Sequence, residues 1–109
     1  MQIKTSNMGL FSKLFSSGPK VDLKELAKTA VILDVRTPGE YKQGHIEGSK
    51  NAPLNELDKH LKGLNKDQVI ITCCASGMRS GSAKSALQSK GYSNVHNGGG
   101  WMSLKTKIS

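Results

Sequence analysis

Two short apolar runs constrain this 109-residue chain more than any other feature. Val31-Ile32-Leu33-Asp34-Val35 and Val69-Ile70-Ile71-Thr72-Cys73 are rich in β-branched residues, and each contains one polar residue. Neither alternates apolar with polar, as a strand with one wet face would. Each therefore reads as a strand buried on both sides of a sheet. The segments between them carry helical signals. Asp22 caps a short helix through Lys28, with Leu23, Leu26 and Ala27 facing inward. Thr37-Pro38-Gly39-Glu40 reads as a capping box with proline at the first helical position. Leu54, Leu57, Leu61 and Leu64 recur at three- and four-residue steps and predict an amphipathic helix. A helix is expected over 82–90, with Ala83, Ala86 and Leu87 inward and Gly91 ending it. Val95-His96 reads as a short last strand before Gly98-Gly99-Gly100. Strands alternating with helices imply an α/β fold, a parallel sheet covered on both faces. In such sheets ligands sit beyond the carboxyl ends of the strands, where Asp34 and Cys73-Cys74 fall.

Composition narrows the class. The length suits one domain, and no run approaches the roughly 18 apolar residues of a membrane span. No sustained period points to repeats or a coiled coil. The only cysteines, Cys73 and Cys74, are adjacent and could pair only under strain, which argues against a disulfide-stapled secreted scaffold. The net charge is +8, from 16 Lys plus Arg against 8 Asp plus Glu. The lysines are spread singly, and only five aromatics (one Trp, two Tyr, two Phe) are available for stacking. This is not the clustered basic stripe of a nucleic-acid binder. A diffuse basic field instead concentrates small anions near the surface. Residues 1–20 read as a mobile arm that ends in the Ser16-Ser17-Gly18-Pro19 breaker, with 21–109 as the domain. The stretch from Gly9 to Phe15 is interrupted by Lys13 and is too short and polar for a signal-peptide core. Met8 would also open a sensible N-terminus. A cytoplasmic location and no stable membrane association are expected.

The chemistry concentrates in Cys74-Ala75-Ser76-Gly77-Met78-Arg79-Ser80, which follows a buried strand and leads into a helix. Successive amides of a tight loop point into one concavity, and a helix N-terminus adds its positive end. A cysteine at the loop entrance would have its thiolate stabilised. Gly77 permits the curl, and Arg79 offers a planar charge suited to an oxyanion.

Four blocks give the chain its resemblance to the single-domain rhodanese family of sulfurtransferases. They are Leu33-Asp34-Val35-Arg36 with Glu40-Tyr41; Gly44-His45-Ile46 with Gly48, Asn51 and Pro53; the loop from Cys74 to Ser80; and Gly91-Tyr92, Val95 and Gly99-Gly100. The resemblance implies a five-stranded parallel sheet with helices on both faces. It also implies an enzyme that takes a sulfane sulfur from thiosulfate, or from a persulfide donor, as a cysteine persulfide and passes it to cyanide or a thiol. By this likeness Cys74 is the nucleophile. The amides of Ala75, Ser76, Gly77, Met78 and Arg79 cradle the sulfur and the departing sulfite, and Arg79 binds the sulfonate end of the donor. Asp34, Arg36 and Ser80 support the loop, and His45 is a turn histidine rather than a base.

Two other readings stay open. Counted from Cys73, Arg79 has the spacing of cysteine phosphatases and arsenate reductases of the same fold. A rhodanese-like domain can also serve as a protein-binding or sulfur-relay module without turnover. Strand alternation sends Cys73 and Cys74 to different sides, so only one can face the cradle. Neither His60 nor His96 has metal-ligand spacing with the cysteines, and no metal or cofactor is expected. The expected partners are a small anionic sulfur donor and a thiol acceptor, a small redox protein among the candidates, acting on a monomer. Trp101 is expected to pack into the core.

Overall fold

The computed structural model describes residues 21–109. The readings of the arm and of Met8 lie outside the described residues. The chain runs α1 (Leu23–Ala27), β1 (Val31–Asp34), α2 (Pro38–Gln43), β2 (Lys50–Asn51), a 3₁₀ helix (Leu54–His60), β3 (Ile70–Cys74), α3 (Met78–Ser89), β4 (Val95–Gly100) and α4 (Trp101–Ile108). The strands form one parallel sheet in the order β2-β1-β3-β4. The two apolar runs are its central pair, with Asp34 opposite Cys73.

Strand alternation divides the core in two. Leu33, Val35, Ile70 and Cys74 join Leu57, Ala83, Leu87, Tyr92 and Val95 on one face, beneath the 3₁₀ helix and α3. Ile32, Ile71 and Cys73 join Ile46 and Leu104 on the other, packed against residues of α1 and α4. Truncating a fully buried residue such as Leu104 to alanine would cost about 2–5 kcal/mol.

The capping signals are realised. The Asp22 side chain accepts from the Glu25 N–H at the start of α1. The Thr37 hydroxyl accepts from the Glu40 N–H, and the Glu40 carboxylate accepts from the Thr37 N–H.

Four expectations are corrected. The described sheet has four strands rather than five, and its edge strand β2 is only two residues long. The leucines from Leu54 to Leu64 do not share one α-helix. That segment is 3₁₀ through His60, starts after Pro53 with no side-chain cap, and kinks at Glu56 (φ −127°, ψ 22°). Leu61 and Leu64 are packed against the core from the turns that follow. The helix after the Cys74 loop begins at Met78, four residues before the predicted start. Ser80, Gly81 and Ser82 are weak helix formers that hide its first turn in the sequence. The last strand runs on through the glycines to Gly100. Gly98 shows why they are glycines: a Cβ there would lie 2.8 Å from Ile71 Cγ2, from Leu104 Cδ2 and from the Thr72 carbonyl oxygen. Helix α4 closes against the sheet only because β4 is bare at that point. Among the described residues, no helix is long and apolar enough to cross a membrane.

Candidate active site

Cys74 is the last residue of β3, with no exposed surface, and its sulfur sits under the turn that begins α3. That turn is three residues long, Ala75 to Gly77. Gly77 closes it at φ +106°, a left-handed conformation that a side chain would strain. This conformation aims the Gly77 N–H at Cys74 Sγ, 2.9 Å away. The Ser80 hydroxyl, on the first turn of α3, lies 3.5 Å from the same sulfur. Thr72 fixes that turn from below by donating to the Ser80 carbonyl at 2.9 Å. Helix α3 has twelve residues and no acidic side chain of its own in its first turn, which leaves its positive end beside the sulfur.

These groups decide the charge on sulfur. Burial pushes the Cys74 thiol up, but the Ser80 hydroxyl and the amides of Ser80, Gly77 and Ser76 outweigh it and hold the thiol below its ordinary value. Cys73 has no such donors. It lies on the opposite face of the sheet, equally buried, and its thiol is pushed up to about 12. Burial is the main cause and the Asp34 carboxylate adds to it, with Arg36 opposing only in part.

The other predicted residues are less closely gathered. Ala75 and Ser76 are exposed. Met78 points outward and is 83% exposed. Arg79 does not face an empty cradle: its Nη1 and Nη2 donate to the two carboxylate oxygens of Glu40, at 2.8 and 3.0 Å. Asp34 and Arg36 form a sealed pair on the next strand end, with Nη2 2.7 Å from the carboxylate. Arg36 also donates to the carbonyls of Gly44 (2.7 Å) and Glu40 (3.3 Å). The pair thus braces α2 and the Gly44 turn, and reaches Arg79 only through Glu40. Arg36 also stacks 4.7 Å over Trp101. Trp101 packs against one core cluster and lines a hollow with Arg36, Glu40, Gln43 and Gly44. His45 is a turn residue, its Nδ1 2.7 Å from the Tyr41 carbonyl and its ring stacked on Tyr41.

Two site residues escaped the sequence. The sequence marks Glu40 as a helix cap and as part of a family block, but not as the partner of Arg79, 39 positions away. Asn97 on β4 uses Oδ1 to accept from the Ser80 hydroxyl (2.7 Å) and from the Gly99 N–H (2.9 Å), tying the strand end to the sulfur's neighbour. No local pattern marks either contact.

Chemically, the site is a buried cysteine whose thiol hydrogen-bond donors hold below its ordinary value, with a carboxylate-paired arginine at its edge. Among the described residues no cluster of His, Cys, Asp or Glu could hold a metal ion.

Comparison with known proteins gives a consistent result. The sequence profile of the Rhodanese-like domain matches residues 20–107. The thiosulfate sulfurtransferase PspE of Escherichia coli is 37% identical over 70 residues, 62% of this chain and 67% of that protein. The thiosulfate sulfurtransferase GlpE of Stutzerimonas stutzeri is 34% identical over 67 residues, 62% of each chain. Among solved structures, a rhodanese with anions from E. coli superposes with a TM-score of 0.64 at 34% identity, covering 68% of this chain and 89% of that one.

Proposed function

The chain belongs to the rhodanese family, and from that premise we propose that it is a sulfurtransferase carrying sulfane sulfur as a persulfide on Cys74. One observation carries this reading: a fully buried sulfur that the Gly77 amide, the Ser80 hydroxyl and the start of α3 nonetheless hold toward the thiolate. The kinship to proteins named thiosulfate sulfurtransferase supports it.

In the first half-reaction the Cys74 thiolate attacks the outer sulfur of the donor. With thiosulfate, a new S–S bond forms on Cys74 while the old one breaks, and sulfite leaves with the electron pair. The loop amides stabilise the charge that arrives on the terminal sulfur. In the second half-reaction cyanide or a thiolate, on a small molecule or a small redox protein, attacks that terminal sulfur. Thiocyanate or the acceptor's persulfide forms, and the Cys74 thiolate departs.

The phosphatase and arsenate reductase reading is weakened, because it needs Cys73 as nucleophile and Cys73 is buried across the sheet with its thiol pushed up to about 12. A binding module without turnover would have no use for a depressed Cys74 thiol. Intact mass measured after reduced protein meets excess thiosulfate or glutathione persulfide tests the proposal. The expected result is a gain of one sulfur that Cys74→Ser lacks. No adduct with either donor would leave the binding module, and hydrolysis of an aryl phosphate would restore the Cys73 reading.

A further inference from the structure

The molecule has two arginine–carboxylate pairs near the Cys74 loop, and they are built differently. Asp34 and Arg36 are sealed, with side chains 0% and 5% exposed. Glu40 and Arg79 stand at the surface, with side chains 38% and 36% exposed. The second pair is the unusual one, because Arg79 is the cation that a sulfonate or another oxyanion would need. Its two terminal nitrogens are already matched by Glu40 in the bidentate geometry that such an anion would adopt. Glu40 is not free to swing away. Its Oε1 also accepts from the Thr37 N–H (3.0 Å) and hydroxyl (3.1 Å), so the carboxylate is anchored to the start of α2. The Arg79 guanidinium holds its pKa down at about 2, so mild acid does not release it.

We infer that Glu40 is a specificity residue, which occupies the oxyanion position at Arg79 and turns the site from dianionic donors toward sulfane sulfur carried on an organic thiol. The inference rests on the proposed sulfur transfer at Cys74 and names its substrate class. A dianion would have to displace a tethered carboxylate and then lie beside it. A persulfide donor has a thiol carbon chain, not a sulfonate, bonded next to the transferred sulfur, so no oxyanion need sit at Arg79 beside Cys74. Its transfer balances without one: the Cys74 thiolate attacks the outer sulfur of R–S–SH, the donor S–S bond breaks, R–S⁻ leaves with the electron pair, and the proton stays on the new Cys74 persulfide. Arg79 also borders a hollow of about 340 Å³ walled by Val35, Pro53 and Leu54, with Thr37 and Asn55. That lining suits the carbon skeleton of a thiol carrier and offers little to sulfite.

The test compares kcat/KM for thiosulfate and for glutathione persulfide in the wild type, in Glu40→Gln and in Asp22→Ala. The wild type should prefer the persulfide. Glu40→Gln should shift the ratio toward thiosulfate about tenfold, mainly by lowering the thiosulfate KM, and the shift should shrink at high salt. Asp22→Ala removes the cap of α1, away from the site, so it should lower the melting temperature and leave the ratio in place. An unchanged ratio in Glu40→Gln, or an equal shift in Asp22→Ala, would overturn the inference, the latter by making the ratio follow stability rather than the Glu40 charge. Should neither donor load Cys74 in the wild type, the underlying transfer reading falls instead, and this one with it.

Discussion

Cys73 and Cys74 are neighbours in sequence, and neither has exposed surface, yet they occupy opposite electrostatic environments. Cys73 packs with Ile32, Ile71 and Leu104, within reach of the Asp34 charge. Cys74 packs with Leu33, Ile70 and Ala83 but ends its strand, so its sulfur meets the first amides and the first hydroxyl of α3. Burial raises both thiols, and only one side supplies donors that reverse the effect. Burial alone therefore does not make a cysteine inert; the absence of hydrogen-bond donors does.

The largest test of that contrast is loss of function. Cys74→Ser should remove sulfur transfer altogether, whereas Cys73→Ala should keep at least half of the wild-type rate and lose about 1 kcal/mol of stability for the atom removed from the core. Transfer assays and thermal melts on both variants check this. Comparable losses of activity would mean that the two faces of the sheet are not chemically distinct.

A second test uses alkaline pH. The Cys73 thiol is raised in the folded protein to about 12, against an unfolded value of about 8.5. Its contribution is then fully present below about pH 8.5 and is lost as pH rises toward the folded value, because the unfolded chain ionises first. Cys74 has the opposite sign: its depressed pKa favours the fold above the unfolded thiol pKa, and that part is lost as pH falls through the folded one. Between pH 8 and 10 the wild type should lose about 1–2 kcal/mol more stability than Cys73→Ala. Parallel urea melts read the difference directly. Curves that fall together would remove the assigned cause.

Much of this contrast was legible in the chain. The two apolar runs announced a doubly covered parallel sheet, and period two placed the cysteines on opposite sides. The Thr37–Glu40 box and the Asp22 cap were readable because a cap is a contact between residues three apart. Contacts that link distant segments were not readable. Trp101, Leu104 and Ile108 stand at helical spacing, but the segment has only eight residues, follows three glycines and carries no side-chain cap, so α4 has no local start signal. Those glycines became strand because β4 must pass against Ile71 and Leu104, a packing requirement with no local signature. Arg79 was identified, but its partner was not, since Glu40 lies on another helix. The Cys74 loop was thus visible, while the groups that tune its thiol and pair with Arg79 depended on tertiary contact.

The smallest effects dissect the donors themselves. Ser80→Ala removes the hydroxyl that lowers the Cys74 pKa, so the pKa rises and the thiolate fraction at neutral pH falls. Alkylation of Cys74 by iodoacetamide should slow about tenfold near pH 7, with its pH profile moved upward. Asn97→Ala should act with the opposite sign. Asn97 Oδ1 is fixed as an acceptor by the Gly99 N–H, and it competes with the sulfur for the one Ser80 proton. Without that competitor the hydroxyl turns to Cys74 more readily, so alkylation should quicken by about threefold, the residual pull coming from the Gly77 carbonyl at 3.0 Å. Opposite shifts in the two variants would locate the difference between the cysteines in a single hydroxyl. Shifts of the same sign would assign Asn97 to holding Ser80 in place, and an unmoved profile in Ser80→Ala would leave the backbone amides as the whole cause.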